Sequence, residues 1–140
     1  MKYSFLLLIT VVLFAACSKN EQSAETFTGK VIQSEKQKFG IDTITAELTN
    51  PWGIAFLPDG RILVTERAGE IRIIKDGSLQ AEKIGNVPAV FANGQGGLMD
   101  IKLHPDYASN GWIYFSFAKP GEGGSGTVIA RAKLEGNNLT

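Results

Sequence analysis

The chain has 140 residues, with 14 lysine and arginine residues balanced by 14 aspartate and glutamate residues. A net charge of zero excludes a long-range electrostatic field that would attract nucleic acid or an anionic surface. We therefore expect no nucleic-acid partner, and we expect any other partner to be recognised through local contacts. Glycine occurs 16 times, mostly between apolar runs, which indicates many turns and short strands.

Residues 1–17 read MKYSFLLLITVVLFAAC and have the pattern of an export signal. Lys2 precedes an apolar run from Phe5 to Phe14, which is shorter than the roughly 20 residues that a membrane-spanning helix needs. The following Ala-Ala-Cys completes a stretch that resembles a bacterial lipobox, in which Cys17 is lipidated and becomes the mature N-terminus. Cys17 is the only cysteine, so no intramolecular disulfide can form. We predict a membrane-anchored bacterial lipoprotein that faces the periplasm or the cell surface; an ordinary signal peptide with an incidental cysteine is the alternative.

Residues 18–38 are polar and lack an apolar period, which predicts a flexible tether. From Phe39 onward, short apolar runs alternate with Gly, Pro, Asn and Asp, so we predict a folded domain over residues 39–140. No segment of this domain keeps a 3.6-residue apolar period, which argues against an α/β fold.

The predicted domain contains an internal repeat. Residues 54–59, IAFLPD, align with residues 101–106, IKLHPD, at an offset of 47 residues. Each copy passes through a glycine-containing turn into a second apolar run, ILVTE at 62–66 and WIYFSFA at 112–118. The second turn carries four extra residues, YASN. Successive strands and tight turns with a period of about 40 to 50 residues are typical of β-propeller blades.

A third apolar run follows in each copy, EIRIIK at 70–75 and TVIARAKL at 127–134. Each copy therefore supplies three antiparallel strands, and a fourth strand is needed to finish a blade. The predicted fold class is an all-β propeller, of which this chain covers about the first two blades. Because a closed propeller typically has four to eight blades, we expect a fragment, incomplete at its C-terminus, of a longer protein.

Two long segments carry a family resemblance, LTNPWGIAFLPDGRILVTERAGEIRII and NGQGGLMDIKLHPDYASNGWIYFSFA. Their motifs resemble, in order and spacing, the N-terminal part of the soluble PQQ-dependent aldose sugar dehydrogenases of the glucose/sorbosone dehydrogenase family. The resemblance covers about residues 42–136. It implies a six-bladed propeller that binds PQQ and calcium near its axis and oxidises the anomeric carbon of an aldose to a lactone. The resemblance also implies that the catalytic base and the ligands of PQQ and calcium lie beyond residue 140, and it does not identify the electron acceptor.

The family resemblance gives Gln95 a role in substrate binding, because the matching glutamine of the family's GQ-x-GL loop contacts the sugar. An amide offers both donors and an acceptor, which suits sugar hydroxyls. The glycines at 94, 96 and 97 allow positive φ and close approach of the backbone. The alternative is that Gln95 only satisfies polar groups of its own loop.

Other polar residues are predicted to be structural. His104 is the only histidine, but it stands where the first copy has Leu57 and next to a Pro-Asp turn, so we expect a hairpin residue and assign no catalytic residue. For Glu66 and Arg67 the alternatives are side chains that point into the central funnel and a solvated or blade-bridging ion pair, and we expect the ion pair. The domain has no D-x-D-x-D cluster, so the sequence places no calcium site.

Trp52 and the aromatic residues of the WIYFSFA run suggest stacking platforms for carbohydrate as one alternative, but packing between blades is predicted for most of them. Alternation puts Trp112 and Tyr114 on one face and Phe115 and Phe117 on the other. The segment 119–127, KPGEGGSGT, lacks the phosphate-loop pattern and is predicted to be a hairpin loop. Two function classes remain open from the sequence, an exported PQQ-dependent oxidoreductase and a non-catalytic propeller that binds carbohydrate or a protein.

Overall fold

The computed structural model describes residues 29–140. The signal peptide, the lipobox with Cys17 and the first part of the tether lie outside the described residues, so they stay predictions. The chain divides into two units after Ile41. In the first unit, β1 (Lys30–Gln33) and β2 (Lys38–Ile41) pair as an antiparallel hairpin. The end of the predicted tether is therefore paired. Its side chains are mostly exposed, so this hairpin buries little apolar surface.

The second unit, residues 42–140, contains two four-stranded antiparallel sheets whose strands lie side by side in chain order. The first sheet consists of β3 (Pro51–Phe56), β4 (Ile62–Glu66), β5 (Glu70–Lys75) and β6 (Ser78–Lys83). The second consists of β7 (Leu98–Leu103), β8 (Trp112–Gly121), β9 (Gly124–Glu135) and β10 (Asn138–Leu139), with the short helix α1 (Tyr107–Asn110) between β7 and β8. Each sheet is a propeller blade. The predicted fold class is confirmed.

The repeat in the sequence is also a repeat of structure. Strand β7 begins and ends 47 residues after β3, and both strands shift register against their neighbours at the same relative position, between Pro51 and Ile54 and between Leu98 and Ile101. Strands β4 and β5 begin and end at the same residues as the apolar runs at 62–66 and 70–75 of the sequence. The four extra residues of the second copy form α1, which ends at Gly111 with a φ of 68°.

The segment 119–127 forms a tighter hairpin than its glycines predict. Strand β8 continues to Gly121 and β9 resumes at Gly124, with Pro120 opposite Ser125 in the ladder. The predicted loop is therefore mostly strand. Backbone pairing needs no apolar side chains, so the hydrophobic pattern ends before the ladder does.

The hydrophobic core lies between the two sheets. In β8, Ile113, Phe115 and Phe117 are buried, whereas Trp112 and Tyr114 are half-buried. This is the alternation that the sequence predicts. The core residues that pack with them come from both sheets and include Ala55, Leu63, Ile71, Ile73, Leu98 and Ile101. The two blades therefore pack face to face, and the two phenylalanines are packing residues between blades.

Thr65 connects three strands inside this interface. Its side chain is fully buried, and its hydroxyl accepts a hydrogen bond from the Gly53 N–H at 2.8 Å and donates one to the Met99 carbonyl at 2.6 Å. Gly53 lies so close to β7 that a Cβ on it would be 3.0 Å from the backbone of residues 99–101. The hydroxyl thus joins β3, β4 and β7 at the two register shifts.

The faces of the sheets that point away from each other carry apolar side chains in the open. On β3, Trp52, Ile54 and Phe56 alternate and are 48%, 51% and 65% exposed, and on β9 Ile129 is 78% exposed. Both faces have the composition of blades that pack against further neighbours. Between residues 29 and 140, no helix has the length and apolar character needed to cross a membrane.

Candidate functional site at the glycine-rich loop

The loop of residues 91–97 enters β7 and is held at both ends by backbone hydrogen bonds. At its start, the Phe91 N–H donates to the Ala118 carbonyl at 2.7 Å. At its end, the Ala118 N–H donates to the Gly97 carbonyl at 2.8 Å, and the Leu98 N–H donates to the Arg67 carbonyl at 3.0 Å. The loop is therefore fixed to β8 of its own blade and to the turn after β4 of the preceding blade.

The structure favours glycine at positions 94, 96 and 97 of the loop for different reasons. A Cβ on Gly97 would lie 2.3 Å from the Arg67 carbonyl oxygen, and one on Gly96 would lie 2.8 Å from the Phe91 carbonyl oxygen. These two glycines allow close approach of backbone to backbone. Gly94 has a φ of +54° and open space around it, so it is there for its turn conformation.

Gln95 stands exposed between these glycines. Its amide forms no hydrogen bond with any residue of the described range. The loop carbonyls on either side of it are satisfied by Arg67 instead, whose Nη1 donates to the Gly94 carbonyl at 2.9 Å and to the Gly96 carbonyl at 3.4 Å. In this geometry Arg67, and not the Gln95 amide, satisfies these loop carbonyls.

Glu66 and Arg67 do not form the ion pair that the sequence predicts. The Glu66 side chain is buried on the face of its sheet that points away from the second blade. Its Oε1 accepts a hydrogen bond from the Thr49 N–H, and its Oε2 lies 3.6 Å from Arg72 Nη1. Arg67 follows the strand and reaches over to the glycine-rich loop. Neighbouring residues at a strand end point in different directions, so adjacency in the sequence did not bring these charges together.

His104 lies at the other end of β7 from Gln95, separated by a strand of roughly 20 Å. Its Nδ1 accepts hydrogen bonds from the Asp106 N–H at 3.0 Å and from the Asn110 amide at 2.9 Å. Its ring stacks on Tyr114 with a centroid distance of 6.0 Å. Through these contacts the histidine organises the turn that leads through α1.

Two groups with shifted pKa values, Asp59 and Tyr107, lie at the same end of the blades as His104. A hydrogen bond from the Arg61 side chain lowers the pKa of Asp59 below its ordinary value. Burial raises the pKa of Tyr107. A third shift belongs to Glu70, whose pKa is lowered by a hydrogen bond from Lys83. Between residues 29 and 140, no cluster of three or more His, Cys, Asp or Glu side chains could hold a metal ion.

Arg67 is the residue of this site that sequence reasoning missed. The sequence signal available for it was indirect. In a propeller meander, the turn after the second strand of one blade lies beside the loop that enters the next blade, so a long donor in the TERAG turn can reach the carbonyls of GQGG. The sequence alone gives no distances, and the nearest charge, Glu66, suggested the wrong partner.

Comparison with known proteins identifies similar chains. The family model described as Glucose / Sorbosone dehydrogenase matches residues 48–140. An uncharacterized protein of Synechocystis sp. is 38% identical over 91% of this chain and 33% of its own length. An aldose sugar dehydrogenase of Escherichia coli (strain K12) is 38% identical over 67% of this chain and 26% of its own length.

Among solved structures, the PQQ-bound form of an aldose sugar dehydrogenase from Streptomyces coelicolor is similar, with a TM-score of 0.60 and 33% identity. That match covers 69% of this chain and 28% of the solved one. The chain thus spans about a third, or less, of the length of the relatives it matches.

Proposed function

Because the chain belongs to the glucose/sorbosone dehydrogenase family, we propose that the full-length protein is a sugar dehydrogenase that oxidises aldoses at the anomeric carbon to lactones with PQQ. Support for the cofactor comes from the solved relative that is described as PQQ-bound. When bound, PQQ would accept the hydride, and the protein would bind and orient the sugar. We propose calcium as a second cofactor of the full-length protein, as the family resemblance implies, and we expect the ligands of PQQ and calcium beyond residue 140.

The observation that carries the proposal for this chain is the free amide of Gln95 on a fixed loop. The ends of the loop are tied to two blades, so the loop that carries Gln95 is in place before a ligand arrives. The amide can donate to one sugar hydroxyl and accept from another. We propose that Gln95 binds the sugar and takes no part in proton or hydride transfer.

The test is Gln95→Ala in the full-length protein loaded with PQQ. Each lost hydrogen bond to a hydroxyl corresponds to about 0.5–1.5 kcal/mol, so kcat/KM for an aldose should fall roughly two- to twelvefold for each bond that the amide makes. PQQ binding, measured by its absorbance, should not change. The matched control is His104→Gln at the other end of β7, which should leave turnover per folded molecule unchanged.

Three results would contradict the proposal in different ways. Unchanged sugar kinetics in Gln95→Ala would remove this residue from the site. Loss of activity in His104→Gln, with folding and PQQ binding preserved, would move the chemistry to the opposite end of the blade. A full-length protein that never binds PQQ would favour the other candidate, a non-catalytic propeller that binds carbohydrate or a protein.

We also propose that the protein is exported and anchored to a bacterial membrane through lipidated Cys17. The support is the sequence of residues 1–17, with a single cysteine after two alanines. In cells, Cys17→Ser should move the protein out of the membrane fraction and abolish metabolic labelling with a fatty acid. Undiminished labelling of this variant would refute the anchor.

A further inference from the structure

We infer that Arg67 is a positioning residue for sugar binding, which acts by holding the backbone of the glycine-rich loop on both sides of Gln95 in one conformation. The inference rests on the proposed function. Its structural basis is that Nη1 of Arg67 donates to the carbonyls of Gly94 and Gly96, at 2.9 and 3.4 Å. These two residues immediately flank Gln95 in the chain.

The middle of the loop has little other support. Its ends are fixed by Ala118 and by Leu98, but between them the only backbone hydrogen bond within the loop joins the Gly96 N–H to the Asn93 carbonyl at 2.8 Å. A Cβ on Gly94 would meet nothing within 4 Å, so no packing restrains that residue. The Arg67 guanidinium therefore provides the contact that decides where the peptide groups on both sides of Gln95 point.

Arg67 is itself held in place by its main chain. Its N–H donates to the Asn50 carbonyl at 3.1 Å, and its carbonyl accepts from the Leu98 N–H at 3.0 Å. Close contact with Gly97 completes this arrangement, because a Cβ there would lie 2.5 Å from Arg67 Cγ. Because these three contacts already hold the backbone and Cγ of Arg67, its side chain loses little conformational entropy when the guanidinium binds the loop. Arg67 therefore fixes the loop of the second blade relative to the first blade.

The experiment uses the full-length protein with PQQ and compares Arg67→Met, which removes the donors and keeps an unbranched chain, with Arg67→Lys, which keeps one cationic donor. The first readout is independent of activity. Amide hydrogen exchange of a peptide covering residues 91–98 should become at least about tenfold faster in Arg67→Met, with strand β5 unchanged. The lysine variant should be intermediate and also provides the test if Arg67→Met fails to fold.

The second readout is sugar kinetics. In Arg67→Met the KM for an aldose should rise about three- to tenfold with a smaller change in kcat. In a Gln95→Ala background the same change should alter kcat/KM by less than about twofold, because the amide to be positioned is gone. A merely structural role would lower kcat/KM by the same factor in both backgrounds.

The matched control is Arg61→Met at the opposite end of the blades. Arg61 also joins the two blades, by donating to the Gly136 carbonyl and to Asn137 Oδ1, each at 2.8 Å. Its loss should change neither the exchange of residues 91–98 nor the KM.

The possible outcomes separate the two proposals. Loop exchange that is the same in Arg67→Met as in the wild type would refute the clamp, and additive effects of the Arg67 and Gln95 changes would refute positioning. A wild-type protein that binds PQQ and oxidises no aldose would refute the proposed function, and with it the role of Arg67. Faster loop exchange together with a KM effect that disappears in Gln95→Ala would establish the inference.

Discussion

The hydroxyl of Thr65 offers a test of what holds the two blades together, through the substitution Thr65→Val. Valine has the shape of threonine, so no cavity forms, but the Gly53 N–H and the Met99 carbonyl lose their partner at a fully buried position. Leaving buried polar groups unpaired costs about 1–3 kcal/mol each. We therefore expect Thr65→Val to lower the free energy of unfolding by roughly 2–4 kcal/mol in total.

Thr65→Ser is the informative comparison, because it keeps the hydroxyl and removes one buried methyl group. Its expected cost is about 1 kcal/mol. Urea unfolding of the full-length protein, followed by circular dichroism, measures both values from the midpoint and the slope. We expect the serine variant to be more stable than the valine variant, and the opposite order of stabilities if packing rather than hydrogen bonding dominates at this position. A serine variant less stable than the valine variant would therefore refute the reasoning.

Two further predictions concern other contacts of the same blades. Gly97→Ala should destabilise the protein by at least about 2 kcal/mol more than Gly121→Ala in the same unfolding assay, because overpacking and backbone strain each cost about 1–3 kcal/mol. A Cβ at Gly97 meets the Arg67 backbone, whereas one at Gly121 meets nothing within 4 Å; equal costs would contradict this geometry. The lowered pKa of Asp59 gives stability that is present above the unfolded pKa of about 4 and lost as the pH falls through the lower folded pKa. The stability advantage of the wild type over Asp59→Asn should therefore be constant near pH 6 and decrease as the pH falls below about 4, and an advantage that grows in acid would contradict the assignment.

Much of the fold could be predicted because the buried strands carry a period-2 pattern bounded by turn residues. The runs at 62–66 and 70–75 gave the bounds of β4 and β5 directly, and the offset between the two copies placed β7 on β3. Strand β6 was not assigned from the sequence. Its residues SLQAEK are mostly exposed, so it pairs through its backbone and lacks a hydrophobic signature.

The candidate site could be predicted only in part, because its contacts are made by backbone carbonyls. Gln95 came from a family motif, and its exposure agrees with a role in binding without testing it. The partner of Arg67 is a pair of peptide groups in another blade, and every residue type carries such groups. Side-chain patterns therefore could not reveal the contact. The distance between the turn and the loop had to come from the fold.

The short helix α1 shows where this architecture accepts added length. The second copy carries four more residues than the first, and β7 nevertheless pairs with β8 in the same relative register as β3 pairs with β4. Extending a surface turn costs little closure entropy, and this turn lies at the end of the blades away from Gln95. The matching turn of the first blade, at residues 58–60, is therefore a suitable place to insert a peptide tag or a fluorescent label. A reporter placed there would stand about a strand length from the glycine-rich loop.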